Sequence, residues 1–368
     1  MLMDSKCNAD ARSADLSLIR RPDCAWDLAD LANVPKNGVK VFSTFACGGG
    51  STMGYKLAGC DVIGANDIDP EMAWHYKVNL SPKHYFLCPI RDLIVKDLPE
   101  EFFGIDILDG SPPCSTFSTV GSREDAWGKE KHFREGQSKQ VLSDLFFDFL
   151  DLAERLRPKV VIAENVKGMI IGNAKGYTKL VMSRFREIGY RPQLFLINAA
   201  DCGVPQRRER VFFCAIRDDI RASALRLNPK RRWISTGYAV SDLNAETQET
   251  QPTGVDLKWW HLTKCGASYA ESVLKMTGKQ SLFGHQKLHK EFPSPTLTAN
   301  SALFMHWEKC RKLSFAEWKR FGSFPDDYQA KSDKIGKYMI GMSVPPRMME
   351  VVARAVCSQW LGVEYATR

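Results

Sequence analysis

The 368-residue chain is 44% hydrophobic and 26% charged, which excludes a disordered or fibrous protein and allows one large core plus an accessory domain. Its 11 cysteines, scattered from Cys7 to Cys357 with no Cys-x-x-Cys pair, argue against a disulfide framework and for a reducing, cytoplasmic setting; no secretory signal or bilayer-length apolar run is present. The net charge of +8 is uneven: between Pro205 and Trp233 nine Lys/Arg stand against three Asp/Glu, a block suited to a polyanion.

Residues 1–37 form a polar extension to which no function is assigned, with Trp26 and Leu31 suggesting a short docked helix. Residues 40–46 read as a strand, followed by Cys47-Gly48-Gly49-Gly50 and a helix over 51–58. A second strand, 61–65, ends at Asn66-Asp67-Ile68-Asp69, and Pro70 suits the first turn of the next helix. Strand, Gly-rich turn, helix, strand and acid open a nucleotide-binding βαβ unit. Glycines let the backbone close on a ligand, the helix N-terminus favours negative charge, and Asp67 is placed to accept both ribose hydroxyls.

The apolar run 105–108 reads as a buried strand ending in a Gly turn, after which Pro112-Pro113 stiffen the backbone and deliver Cys114. The carboxyl end of such a strand is where ligands collect in an open α/β sheet, so Cys114 is a candidate nucleophile. The polar stretch 121–140, with Gly121, Gly128 and Gly136, suits a loop that closes over a substrate. Helices are expected over 140–155 and 177–188, and strands over 160–163, 193–198 and 211–216. The alternation predicts a doubly wound α/β fold with a mainly parallel sheet, as the catalytic and cofactor-binding domain 38–216. The strand at 160–163 delivers Glu164 and Asn165, and Arg208 and Arg210 alternate onto one side as another strand begins. Over 217–326 short strand-like pieces and aromatics replace this regularity, suggesting a smaller recognition domain, and 327–368 return to the main sheet through a helix over 348–360. His285 and His289 have no cysteine or carboxylate pair at ligand spacing, so no metal site is expected.

These pieces together resemble the cytosine-C5 DNA methyltransferases. Phe45 to Gly50 resembles that family's cofactor-loop motif, Pro112-Pro113-Cys114 its nucleophile motif, Glu164-Asn165-Val166 its acid motif and Gln206 to Arg210 its arginine motif. Arg311 to Pro325 resembles the motif supporting the recognition domain and Ile340 to Pro345 the last motif, all in the family's order. The resemblance implies a Rossmann-like class I methyltransferase with a target-recognition domain over 217–326. It would transfer methyl from S-adenosylmethionine to C5 of a cytosine flipped out of a specific double-stranded DNA sequence. By the same resemblance Cys114 adds to C6, Glu164 hydrogen-bonds or protonates N3, Arg210 holds O2, and Arg208 anchors a loop or a phosphate. Ser118 and Asn165 would contact the substrate. The implied cofactor residues are Phe45, Gly48, Gly49, Gly50, Asp67, Ile68, Ile90, Pro113, Leu145, Met342 and Val344. A monomer is expected, with a cognate restriction endonuclease as a companion.

The chain departs from the family pattern around the cofactor. Ser43-Thr44-Phe45 stands where the loop usually starts Asp-Leu-Phe, and Cys47 replaces the first glycine, with Gly48 as the expected compensation. Pro89 replaces an adenine-binding Asp, Ile68 an aromatic, Met342 an Asn, and Ser115 a Gln. Alternatives left open are a tRNA substrate, a modified S-adenosylmethionine delivering a group other than methyl, and a non-catalytic DNA-binding homologue.

Overall fold

The computed structural model describes residues 21–113, 130–131, 140–141, 145–172, 174–244 and 246–366. Seven strands form the main sheet: β1 Lys40–Thr44, β2 Asp61–Asp67, β3 His84–Leu87, β4 Ile107–Gly110, β5 Val160–Val166, β6 Tyr190–Asn198 and β7 Glu209–Arg217. Their order is β3-β2-β1-β4-β5-β7-β6. The pairs from β3 through β5 are parallel, and β7 is antiparallel to both β5 and β6. The reversal has a local cause: residues 199–208 between β6 and β7 are too few for the crossover a parallel pair needs.

Helices cover both faces. On one side α1 Gly50–Leu57 and, from the far end of the chain, α11 Pro346–Trp360 enclose a core with Tyr55, Ile107, Ile162 and Val352. On the other, α3 Ile90–Val95, α4 Leu145–Leu156 and α5 Ala174–Glu187 cover Phe42, Leu108, Val161 and Phe213. The fully buried strands read as near-continuous apolar runs because neither face meets water. The fold is thus the doubly wound, mainly parallel arrangement the sequence predicts.

Three local expectations are corrected. Strand β3 was not expected; at a sheet edge its first three residues are half-buried and Leu87 is exposed, so no hydrophobic period marks them. Strand β2 runs on to Asp67, where the expectation stopped at 65. The helix expected from 140 starts at Leu145, because Gln140–Val141 instead pairs with Glu130–Lys131 in an antiparallel ribbon. The rest of the expected closing loop lies outside the described residues.

Beyond β7 the chain forms α6 Thr236–Ala239, α7 Gly254–Trp259, α8 Tyr269–Thr277, α9 Phe315–Phe321 and α10 Asp333–Met342, with little strand. A third core joins Met53 of α1 and Met72 and Tyr76 of α2 Pro70–Leu80 to Leu288, Leu297, Trp318, Phe324 and Ile340. Trp26 enters the same core and its indole N–H donates to the Ser323 carbonyl at 2.9 Å. The docked turn beside it, Leu28–Asn33, is a 3-10 helix. Among the described residues no helix is long and apolar enough to cross a membrane.

Candidate active site

Strand order reverses direction between β1 and β4, so the crevice outside their carboxyl ends is the topological switch point where such sheets bind ligands. Strand β1 delivers the loop 45–50 to that crevice; β4 delivers Gly110-Ser111-Pro112-Pro113. Cys114 and Ser118, which follow directly, lie outside the described residues. The anchorage of their segment is nonetheless visible. Asn165 Nδ2 donates to the Pro112 carbonyl at 3.0 Å, and Asn165 Oδ1 accepts the Val166 N–H at 2.9 Å. Asn165, expected to touch substrate, is 4% exposed and clamps the proline turn, with one N–H and one lone pair of its amide engaged.

Its neighbour Glu164 ends the buried run of β5 and meets Arg210 Nε at 2.9 Å, with both side chains nearly buried. The pairing is set by register, since Val166 of β5 lies against Arg210 of β7. Burial draws the Arg210 guanidinium below its ordinary value, with Glu164 opposing that shift. Arg208 goes elsewhere: its two terminal nitrogens donate to the carbonyls of Leu297 at 2.9 Å and Gly341 at 3.0 Å, and it is 2% exposed. Of the two roles expected for Arg208, the loop anchor is the one these contacts support. Gln206 works beside it, donating to the Phe321 carbonyl and accepting the Leu297 N–H.

The cofactor loop is contorted. Phe45, Cys47 and Gly49 all have positive φ, at 51°, 47° and 87°. The expected compensation by Gly48 is therefore corrected, because the left-handed residue is Cys47 itself. Gly48 answers a different need, since a Cβ there would meet Met339 Sδ at 1.7 Å. A Cβ on Gly50 would likewise meet the Val344 carbonyl at 2.2 Å, so the loop and the segment after α10 pack backbone to backbone. The Cys47 thiol sits 3.6 Å from Met72 Sδ and 3.7 Å from Ser343 Oγ, and burial pushes it up to about 12, which keeps it neutral. Asp67 ends β2 and accepts the Cys47 N–H at 2.7 Å and the Asp69 N–H at 2.9 Å, one on each carboxylate oxygen.

Of the remaining expected cofactor residues, Pro113 and Ile68 are half-buried at the edge, and Met342 is 55% exposed at the end of α10. Ile90, Leu145 and Val344 are core residues, each no more than 5% exposed. Sequence reasoning missed Asp109 in β4, which accepts the hydroxyls of Ser43 and Tyr55. The available signal was an acid inside an otherwise apolar strand.

The profile of the C-5 cytosine-specific DNA methylases matches residues 39–358. The chain is 33% identical over 344 residues to the type II methyltransferase M.NgoPII of Neisseria gonorrhoeae, covering 87% of this chain and 96% of the relative. It is 28% identical to M.BbvI of Brevibacillus brevis, covering 82% and 83%. The chain belongs to the C-5 cytosine-specific DNA methylase family.

Solved structures agree on the fold. A chain from E. coli described as a prophage-encoded DNA modification methyltransferase superposes with a TM-score of 0.64 at 19% identity, covering 88% of this chain and 99% of that one. Spodoptera frugiperda DNMT2 superposes at 0.60 with 15% identity, covering 87% and 99%. This methyltransferase acts on C5 of cytosine in DNA and uses S-adenosylmethionine. The crevice has the donor set that cofactor needs. The alternating left-handed residues and the first-turn N–H groups of α1 suit a carboxylate, and Asp67 offers acceptors to a diol. When bound, the cofactor supplies an electrophilic methyl group.

Proposed function

We propose that Cys114 is the nucleophile of a sequence-specific duplex-DNA methyltransferase, with Glu164 as the acid at N3 and Arg210, paired with it, holding O2. The Glu164–Arg210 pair beside the clamped proline turn carries this reading. Cytosine C5 is too weak a nucleophile to take a methyl group unaided. Bonding of the Cys114 sulfur to C6 makes C5 enamine-like, while the Glu164 carboxyl hydrogen-bonds N3 and offsets the charge that develops there. Removal of the C5 proton after transfer restores the ring and expels the thiolate. C6 is closed off in a stacked duplex, so the target base is flipped out.

Residues 217–326 serve in this reading as the target-recognition region, beginning with the basic block that contains Arg231 and Arg232. The names of the relatives support a modification enzyme of a type II restriction system. In this reading it acts as a monomer in the cytoplasm, on the nucleoid, beside a cognate endonuclease. The deciding experiment incubates the protein with S-adenosylmethionine and a duplex carrying 5-fluorocytosine, with tRNA as a second substrate. A covalent adduct on duplex DNA, absent in Cys114→Ala, is the expected result. Methyl transfer at the normal rate by Cys114→Ala, or transfer to tRNA alone, overturns it.

A further inference from the structure

Asp109 is 1% exposed in β4, and among the described residues no cation acts on it. Ser43 Oγ donates to Oδ2 at 2.8 Å from β1, and the Tyr55 hydroxyl donates to Oδ1 at 3.1 Å from α1. Among the described residues the other charge acting on it is Glu164 on β5, of the same sign. A carboxyl buried among hydroxyls without a counter-charge weakens a core, where an apolar residue would pack at less cost. A buried carboxyl hydrogen-bonded on both oxygens fixes geometry.

The geometry fixed here is that of the two loops. Ser43 precedes the cofactor loop by two residues, α1 begins where that loop ends, and Cys114 follows Asp109 by five. Thr44 Oγ1 adds a second rung to the Asp109 carbonyl at 2.9 Å. Position 43 is also where the family pattern carries an aspartate, and in this sheet Ser43 and Asp109 are direct register partners.

We propose that Asp109 is a positioning residue that sets the spacing between the cofactor loop and the nucleophile loop, holding on β4 the carboxylate that the family pattern carries on β1. The proposal rests on Cys114 as nucleophile. Its test compares the parent with Asp109→Ser, Tyr55→Phe and the exchange Ser43→Asp/Asp109→Ser. Active sites are counted by trapping on 5-fluorocytosine duplex, and kcat is expressed per trapped site alongside both KM values and the melting temperature. Asp109→Ser is expected to lose about 30-fold in kcat per site with both KM values within about threefold, the signature of misplaced reactants. Tyr55→Phe loses about fivefold, and the exchange returns to within about threefold of the parent. A lower melting temperature and fewer trapped sites with unchanged kcat per site would mean a merely structural group and overturns the proposal. So does an exchange no better than Asp109→Ser. If Asp109→Ser does not fold, the exchange and Tyr55→Phe decide by the same criteria. If the parent itself forms no adduct, the nucleophile reading fails and this proposal falls with it; failure of the variants alone leaves that reading standing.

Discussion

Glu164 and Asn165 are consecutive and point to opposite sides of the end of β5, as strand geometry requires. One reaches Arg210 on β7, and the other reaches back to Pro112. A single strand end therefore places the acid and holds the turn that bears the nucleophile, so a shift of one residue would misplace both. Asp109 shows a different balance at the same scale. Burial pushes its carboxyl up to about 7, even though Ser43 and Tyr55 donate to it. An unfolded aspartate titrates at about 3.9, so the native state holds this proton more tightly than the unfolded chain does. Its contribution to stability is complete below about pH 4 and is lost as pH rises through about 7, on the order of 2–4 kcal/mol. Asp109→Asn removes that loss. Urea unfolding at pH 4.5 and pH 8 should show the variant gaining on the parent by that order as pH rises. Parallel pH curves for the two proteins would contradict the assignment.

At the scale of elements, the short motif from Gln206 to Arg210 divides its work by alternation. Gln206 and Arg208 take up the carbonyls of Phe321, Leu297 and Gly341, and Arg210 turns to Glu164. This division explains how much could be read from the sequence. Apolar runs announced β4 and β5 because both faces of those strands are buried, and the residues at their ends inherit their positions from the strand. Nothing in the chain announced which carbonyls Arg208 would hold, since Leu297 and Gly341 reach it only through folding of distant segments. Asp109 was missed for a related reason: an acid inside an apolar strand is a signal, but its partners lie on β1 and α1 and only folding brings them to it. Arg208→Leu leaves two buried carbonyls without donors, and a loss of about 2–4 kcal/mol in urea unfolding is expected. Arg208→Lys should recover little, because one ammonium on a flexible stem does not reproduce a planar fork spanning two acceptors. Full recovery by Lys would show that charge alone is at work.

Across the whole molecule, charge is sorted by the two ends of the sheet. Near the amino ends of its parallel strands, Lys36, Lys159, Arg217 and Arg354 are paired with Asp61, Asp106, Asp219 and Glu350. At the catalytic end, Arg207, Arg231 and Arg232 are exposed and form no ion pair with any described residue. Arg231 and Trp233 are fixed there by Asp201, whose carbonyl accepts the Arg231 N–H and whose carboxylate accepts the indole N–H. The arrangement leaves uncompensated positive charge where a duplex would approach the crevice, so a modest net charge suffices for a polyanion. Each arginine that neutralises a phosphate releases counterions, steepening the fall of affinity with salt by about 0.9 per contact. Arg231→Ala/Arg232→Ala should therefore reduce the slope of log affinity against log salt by about 2, equally for cognate and unrelated duplexes, in anisotropy titrations. Turnover at saturating DNA should stay within about twofold of the parent, because neither residue reaches the Glu164–Arg210 pair. An unchanged slope would place the duplex on another face, and a loss confined to the cognate duplex would make these arginines readers of bases.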